Sequence, residues 1–174
     1  MKKLLLIIIL ITTFSGVKAQ EKKKKIIVEN ATEVSTYYLI RHAEKDTKPA
    51  KNPQLLPSGK VRAQNYAHFF KNIKLDAVYS TNYTRTKNTA LPTAKLKGFN
   101  TIMYNPFSID YKTFLKNTKG KTVLVVGHSN TIPNFVNNLI GNNEYEELDE
   151  SIYNLMFIVT ITNDEIKHEV KTID

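Results

Sequence analysis

Two arginines and two histidines in this sequence stand just beyond apolar runs. Arg41-His42 ends the run 36–40. Arg85 follows the run 75–79 after a short turn. His128 follows Thr122-Val123-Leu124-Val125-Val126-Gly127. A guanidinium presents a planar fork of donors that fits phosphate oxygens two at a time. An imidazole nitrogen without a proton can attack phosphorus as a nucleophile. Ser129 and Asn130 lie where a further helix begins. Free backbone N–H groups and the helix dipole favour an anion at such a place. These residue types suit a pocket for one phosphoryl group.

The elements that must position these side chains follow from pattern. The run 36–40 is rich in aromatic and β-branched residues and reads as a buried strand. The run 122–126 is almost wholly apolar, as in a sheet covered on both faces. Further strands are expected at 75–79 and 101–104, and a short edge strand at 26–28. A last pair at 153–161 and 166–172 is joined by a turn at Asn163-Asp164. Ala63, Tyr66, Ala67 and Phe70 fall at helical spacing, with Ser58 as the expected N-cap. A second helix spans 84–96, with a kink or break expected near Leu91 because Pro92 lacks an N–H, and Gly98 ends it. A short helix lies at 111–115. Another runs over 130–140, where Pro133 is tolerated in the first turn and Gly141 closes the element. The alternation of strand and helix implies an α/β fold: a three-layer αβα sandwich with a mostly parallel sheet and an antiparallel edge. Ligands in such sheets sit beyond the carboxyl ends of the strands. Parallel strands therefore deliver His42, His128 and Arg85 to one end.

Three segments, in this order, carry a resemblance: Tyr37-Tyr38-Leu39-Ile40-Arg41-His42-Ala43-Glu44, Arg85-Thr86 with Thr89-Ala90, and Gly127-His128. Together they resemble the histidine phosphatase superfamily, whose fold is phosphoglycerate mutase-like, from about residue 36 to the C-terminus. The resemblance implies that His42 is transiently phosphorylated. It implies that Arg41, Arg85 and His128 hold the phosphoryl oxygens, where charge must be stabilised. No cofactor is implied, and the absence of a His-Glu-x-x-His pattern and of any thiol argues against a metal. The short chain is also similar to the small phosphohistidine phosphatase branch. One departure is Leu56-Pro57-Ser58-Gly59, where the family has a Leu-Thr-x-x-Gly-like turn. Another concerns the proton donor. The family places an acid shortly after the second arginine or directly after the second histidine. Here 86–98 contains no Asp or Glu, and the residue after His128 is Ser129. Glu44 is the nearest candidate acid, sharing the face of His42 in an extended segment. Asp46 and Asp110 follow it. The other role open to Glu44 is a partner that orients Arg41 or Arg85. The alternative function is a non-catalytic phosphate- or glycan-binding module of the same fold.

The 174 residues suit one domain. Met1-Lys2-Lys3 is a basic start, 4–11 a continuous apolar run, and Val17 and Ala19 are small residues before Gln20. This pattern predicts a signal peptide over 1–19, a basic linker over 20–35 and the histidine phosphatase domain over 36–174. A periplasmic or secreted bacterial location follows, with no stable membrane span after cleavage. The chain has no cysteine, which suits an oxidising compartment. Its formal charge is +9, and loss of Lys2, Lys3 and Lys18 leaves +6. Lys22 to Lys25 read as a solvated linker. A diffuse positive charge raises the local concentration of phosphorylated molecules. The expected partner is a small phosphorylated substrate or a phosphorylated envelope glycan. No aromatic platform or basic helix marks a nucleic-acid module. The polar loops 47–57 and 142–150 are the candidate lids, and His68 and His168 have no catalytic context.

Overall fold

The computed structural model describes residues 33–49, 51–163 and 165–174. The expected leader, the short strand at 26–28 and most of the linker lie outside them. The apolar runs form β1 (Ser35–Arg41), β2 (Ala77–Thr81), β3 (Ile102–Tyr104) and β4 (Thr122–Gly127). Between and after them lie α1 (Pro57–Phe69), α2 (Thr84–Lys97), α3 (Tyr111–Asn117) and α4 (Thr131–Ile140). The chain finishes with β5 (Leu155–Ile161) and β6 (Ile166–Thr172). The sheet order is β3-β2-β4-β1-β5-β6. The first four strands run parallel, and β5 is antiparallel to both β1 and β6. This is the mostly parallel α/β architecture with an antiparallel edge that the sequence pattern implies. No helix among the described residues is long and apolar enough to cross a membrane.

Strand β4 shows why its sequence is apolar at every position. Val123 and Val125 pack with Tyr37, Leu39, Phe114 and Phe135 on one face of the sheet. Leu124 and Val126 pack with Ile40, Tyr66, Phe70 and Ala90 on the other. A central strand with helices on both sides has no solvent face to keep polar. The same centrality sets the site. Arg41 pairs with Gly127 in the β1–β4 register, so His42 and His128 leave adjacent strands side by side. On the other flank of β4, Ser80 pairs with Val126, which brings Thr81 and then the start of α2 to the same end.

Three local expectations are corrected. Helix α1 begins at Pro57 with Leu56 as its N-cap, and no side chain caps it. Proline at the first position has a preset φ and no N–H to satisfy, so Ser58 is already inside the helix. Strand β2 begins two residues later than the apolar run at 75–79, because Leu75 is committed to the core and Asp76 accepts the Thr122 N–H at 2.8 Å through its side chain. Helix α2 runs unbroken through Pro92. Pro92 lies on a half-exposed side, where water can take up the carbonyl that its missing N–H leaves free. Gly98 and Gly141 close their helices in left-handed geometry at φ 72° and 71°.

Beyond β1 the chain folds back on itself. Leu56 N–H donates to the Glu44 carbonyl at 2.9 Å and Asp46 N–H to the Gln54 carbonyl at 2.8 Å. This strap lays the first turn of α1 directly on the Glu44 backbone. Gly59 is buried there, and a Cβ at this position would meet Glu44 N at 2.9 Å and its carbonyl carbon at 3.0 Å. Backbone atoms cannot rotate aside. Alanine would gain about 1 kcal/mol of helix propensity, against an overpacking cost of about 1–3 kcal/mol. Gly59→Ala is therefore expected to lower the urea midpoint of unfolding. A raised midpoint would show that the strap yields easily.

Candidate active site

His42 and His128 meet at the carboxyl ends of β1 and β4, with ring centroids 5.5 Å apart. Both are buried, at 3% and 9% exposure. His42 Nδ1 lies 2.8 Å from the Ala43 carbonyl. A carbonyl only accepts, so Nδ1 carries the proton and Nε2 keeps its lone pair. His128 is fixed in the opposite sense. Its Nδ1 faces Arg85 Nη2 at 3.3 Å, and a guanidinium only donates. His128 Nε2–H therefore donates to Thr81 Oγ1 at 2.9 Å. The Thr81 hydroxyl donates in turn to Thr86 Oγ1, and Thr86 to the Thr81 carbonyl. Burial, with the nearby Arg85 and Arg41 charges and, for His42, the neighbouring His128, pushes His42 down to about 3 and His128 down to about 4. The Ala43 carbonyl opposes part of the shift at His42. Both rings are neutral at neutral pH.

The two arginines differ in setting. Arg41 is 1% exposed. Its Nη1 donates to the carbonyls of Asp149, Glu150 and Ile152 at 3.0, 3.0 and 2.9 Å. Its Nη2 lies 2.7 Å from Glu150 Oε2, and its Cζ sits 4.2 Å from the Tyr153 ring centre. Arg85 is half-buried and rests over Tyr83, with 4.5 Å from Cζ to the ring centre. Arg41 Nε and Nη2 and Arg85 Nε are buried donors with no hydrogen-bond partner, Nη2 having only the ion-pair contact to Glu150. Such groups cost free energy unless something occupies them. Arg85 lines a cavity of about 330 Å³ together with His42, His128 and Ser129, among others, and Arg41 lies behind it against the lining residue Glu150. The cavity's chemistry is that of an anion site with a free imidazole nitrogen.

Four of the expected residues thus meet around this place: Arg41, His42, Arg85 and His128. Ser129 also lines the cavity, but its hydroxyl donates to Glu150 Oε1 at 2.6 Å. Glu44 does not join them. Arg62 grips its carboxylate in a fork, Nε to Oε1 and Oε2 at 2.9 and 3.0 Å and Nη2 to Oε1 at 2.7 Å. Burial acts to raise the Glu44 carboxyl, but the Arg62 hydrogen bonds and charge hold it below the usual range. It is a strut between β1 and α1, whose Arg62 also binds the Ile173 carbonyl at 3.1 Å, and it makes no hydrogen bond or ion pair to Arg41 or Arg85 among the described residues. The backbone at 44–46 pairs with the strap at 54–56, and the Glu44 side chain is engaged by Arg62 and does not line the cavity. Asp46 accepts the Lys48 N–H, and Asp110 is the N-cap of α3.

The sequence reading missed Lys45, Tyr83, Phe107, Glu147 and Glu150 among the cavity-lining residues. Tyr83 stands edge-on to His128 with centroids 5.1 Å apart, and Phe107 is 77% exposed at the mouth. The available signal for Lys45 and Tyr83 was closeness in sequence to His42 and Arg85. Of the two candidate lids, 142–150 borders the cavity through its acids. The described part of 47–57 instead meets the start of α2, where Asn52 accepts the Thr84 N–H and Gln54 accepts from Asn88. His68 and His168 are exposed and lie away from the site.

Comparison with known proteins bears on the fold. Residues 37–106 match the model of the histidine phosphatase superfamily (branch 1). No curated protein matches the chain. The fold is similar to the protein histidine phosphatase SixA complexed with tungstate, at 15% identity and TM-score 0.63 over 79% of this chain and 96% of that one. It is similar to mycobacterial glucosyl-3-phosphoglycerate phosphatase, at 9% identity and TM-score 0.59 over 80% and 98%. A phosphoglycerate mutase from Bacillus anthracis aligns at 13% identity and TM-score 0.60 over 82% and 93%. The family match covers the first two of the three segments, and the likeness of fold extends over most of the chain.

Two measurements test the electrostatics. The His42 and His128 rings should remain neutral at pH 5 by NMR, below the ordinary histidine value of 6.5. Below that value the unfolded chain binds more protons at these positions than the folded one. Their contribution to stability is therefore full above about pH 6.5 and declines as pH falls toward 4 and 3. The fall in denaturant midpoint over that window should be shallower in His42→Asn. Rings that protonate near 6.5 would refute the burial argument. Glu44→Gln should lower stability by about 1 kcal/mol or more through the weakened Arg62 fork, yet keep kcat/KM within a few-fold. A loss of a hundredfold or more in kcat would restore Glu44 as the acid.

Proposed function

From its histidine phosphatase fold and a buried, unprotonated His42 beside unpaired guanidinium donors, we propose that this chain is a phosphatase. It hydrolyses phosphomonoesters or phosphoramidates through a phosphohistidine at His42. The observation that carries this reading is the hydrogen bond from His42 Nδ1 to the Ala43 carbonyl, 2.8 Å. It leaves Nε2 as a nucleophile in a cavity bordered by positive charge. A module that only bound phosphate would gain more from an imidazolium, which adds charge, than from a neutral ring held with its lone pair free.

In the first step the Nε2 lone pair forms a bond to phosphorus and the bond to the leaving group breaks. Arg41 Nε, Arg85 and His128 surround the equatorial oxygens and stabilise the charge that spreads over them. Binding of a dianion draws Arg85 away from His128 Nδ1 and favours a proton there, which turns His128 into a donor. Water then cleaves the phosphohistidine. The sequence supports export of this activity through its basic start, apolar run and small residues before Gln20. The substrate then lies in the periplasm or outside the cell, where sugar phosphates and phosphorylated envelope glycans fit the chemistry.

No carboxyl in 86–98 or at position 129 is available to protonate an alkoxide, and Glu44 is bound to Arg62. The enzyme should therefore prefer leaving groups that depart without help, such as phosphohistidine and aryl phosphates. Incubation with an aryl phosphate and an alkaline quench should trap phosphate on His42. His42→Ala should abolish both label and turnover, and normal turnover by that variant would defeat the proposal. Arg85→Ala should lower kcat by about 10²–10³. On substrate choice, kcat/KM should be higher for a phosphoramidate than for an alkyl phosphate. An equal or greater value on the alkyl ester would sink the leaving-group argument.

A further inference from the structure

The carboxylates near the strand ends are nearly all committed elsewhere. Glu44 holds Arg62, Asp46 and Asp149 cap their own turns, and Asp110 caps α3. Glu147 and Glu150 are the acids that line the cavity with His42 and His128. Glu150 is the one with a defined pose. One oxygen accepts from the Ser129 hydroxyl at 2.6 Å, and the other lies 2.7 Å from Arg41 Nη2. Lys45 Nζ lies 3.9 Å from that second oxygen.

This pose is imposed by backbone as well as by charge. Arg41 Nη1 holds the carbonyls of Asp149, Glu150 and Ile152, and Leu148 N–H donates to the Ser129 carbonyl at 3.1 Å. The segment carrying Glu150 is therefore stitched to the residues that flank both histidines. Although the side chain is 65% exposed, its carboxylate is located from both ends. Each carboxylate oxygen has a second lone pair, so the contacts to Ser129 and Arg41 leave room for another donor. Arg41 Nη2 forms an ion pair with Glu150 but no hydrogen bond, so its hydrogens are available to a phosphoryl oxygen, which would put the two anions one nitrogen apart.

We propose that Glu150 is the general base that takes a proton from the water attacking the phosphohistidine. The proposal rests on the phosphohistidine reading above. Attack in line with the P–N bond must come from the side opposite His42, the side vacated by the departing group and open to the cavity. There the water oxygen forms a bond to phosphorus, and its proton passes to the Glu150 carboxylate. The P–Nε2 bond breaks with its electron pair returning to His42. Inorganic phosphate leaves and Glu150 releases the proton to solvent. The Ser129 hydroxyl, and then Arg41 and Lys45, hold the Glu150 carboxyl below the usual carboxylate range. It is thus ionised at neutral pH, the form a base requires, and carries no proton to give in the first step, which agrees with a first step that relies on undemanding leaving groups.

The test separates the two half-reactions. With p-nitrophenyl phosphate, Glu150→Gln should release a full first equivalent of nitrophenolate at the wild-type rate. Steady-state turnover should then be slower by about a hundredfold or more, while phosphate trapped on His42 persists for correspondingly longer. Glu150→Asp should restore part of the hydrolysis rate. A slowed first equivalent with unchanged decay of the phosphoenzyme would overturn the assignment, as would a wild-type phosphoenzyme lifetime in Glu150→Gln. If the glutamine variant does not fold, Glu150→Asp decides by the same readout: a lengthened lifetime supports the base and an unchanged one removes it. Normal turnover by His42→Ala would take this inference down together with the phosphatase mechanism. Loss of turnover in His42→Ala beside unchanged kinetics in Glu150→Gln would remove the inference alone.

Discussion

A guanidinium shut away from water governs the active end of this molecule. Burying a charge without partners is prohibitive, and Arg41 is 1% exposed. It finds its partners in the segment between α4 and β5: the carbonyls of residues 149, 150 and 152, the Glu150 carboxylate and the face of Tyr153. Because Arg41 ends β1, this demand draws a distant segment over the strand ends and closes one side of the cavity. Glu150, Ser129 and Lys45 acquire their positions as a consequence. The arginine is at once a phosphoryl ligand in the proposed chemistry and the pin that assembles the wall of the site.

Positive charge at the site also explains why its histidines are neutral. Two guanidiniums in a desolvated place make an additional imidazolium costly, and burial adds to that cost. A neutral ring must then be held in a particular tautomer to be useful. Backbone and hydroxyl partners do this without adding charge: the Ala43 carbonyl for His42, and the Thr81–Thr86 pair for His128. In the proposed chemistry one ring attacks and the other gains a proton when an anion arrives. Thr81 at the end of β2 and Thr86 in α2 fix a tautomer although they carry no charge.

The strap after β1 fixes the place of one carboxylate. The backbone at Glu44 is held by pairing with 54–56 and by the close approach of Gly59. Its side chain meets Arg62, which also donates to the Ile173 carbonyl. A residue two places from the nucleophile is thus spent on holding α1 against the sheet. Glu150, 108 residues from His42 along the chain, takes up the position near the reacting group.

The sequence alone determined the layers of the fold, the parallel centre of the sheet and the four side chains around the anion place. Each of these depends on local pattern: apolar runs set the strands, and residues just past a strand's carboxyl end inherit its position. Local pattern also misled at the cap of α1 and over a break near Leu91, and it did not show that Glu44 is engaged by Arg62. What only the tertiary structure decided is which carboxylate belongs to the cavity, which nitrogen of each histidine is free, and which loop borders the site. Those depend on contacts between segments far apart in the chain, above all the hydrogen bonds that a buried Arg41 collects from 149–152. No spacing or composition within either segment encodes that meeting, because its energy arises only when both have been removed from water together.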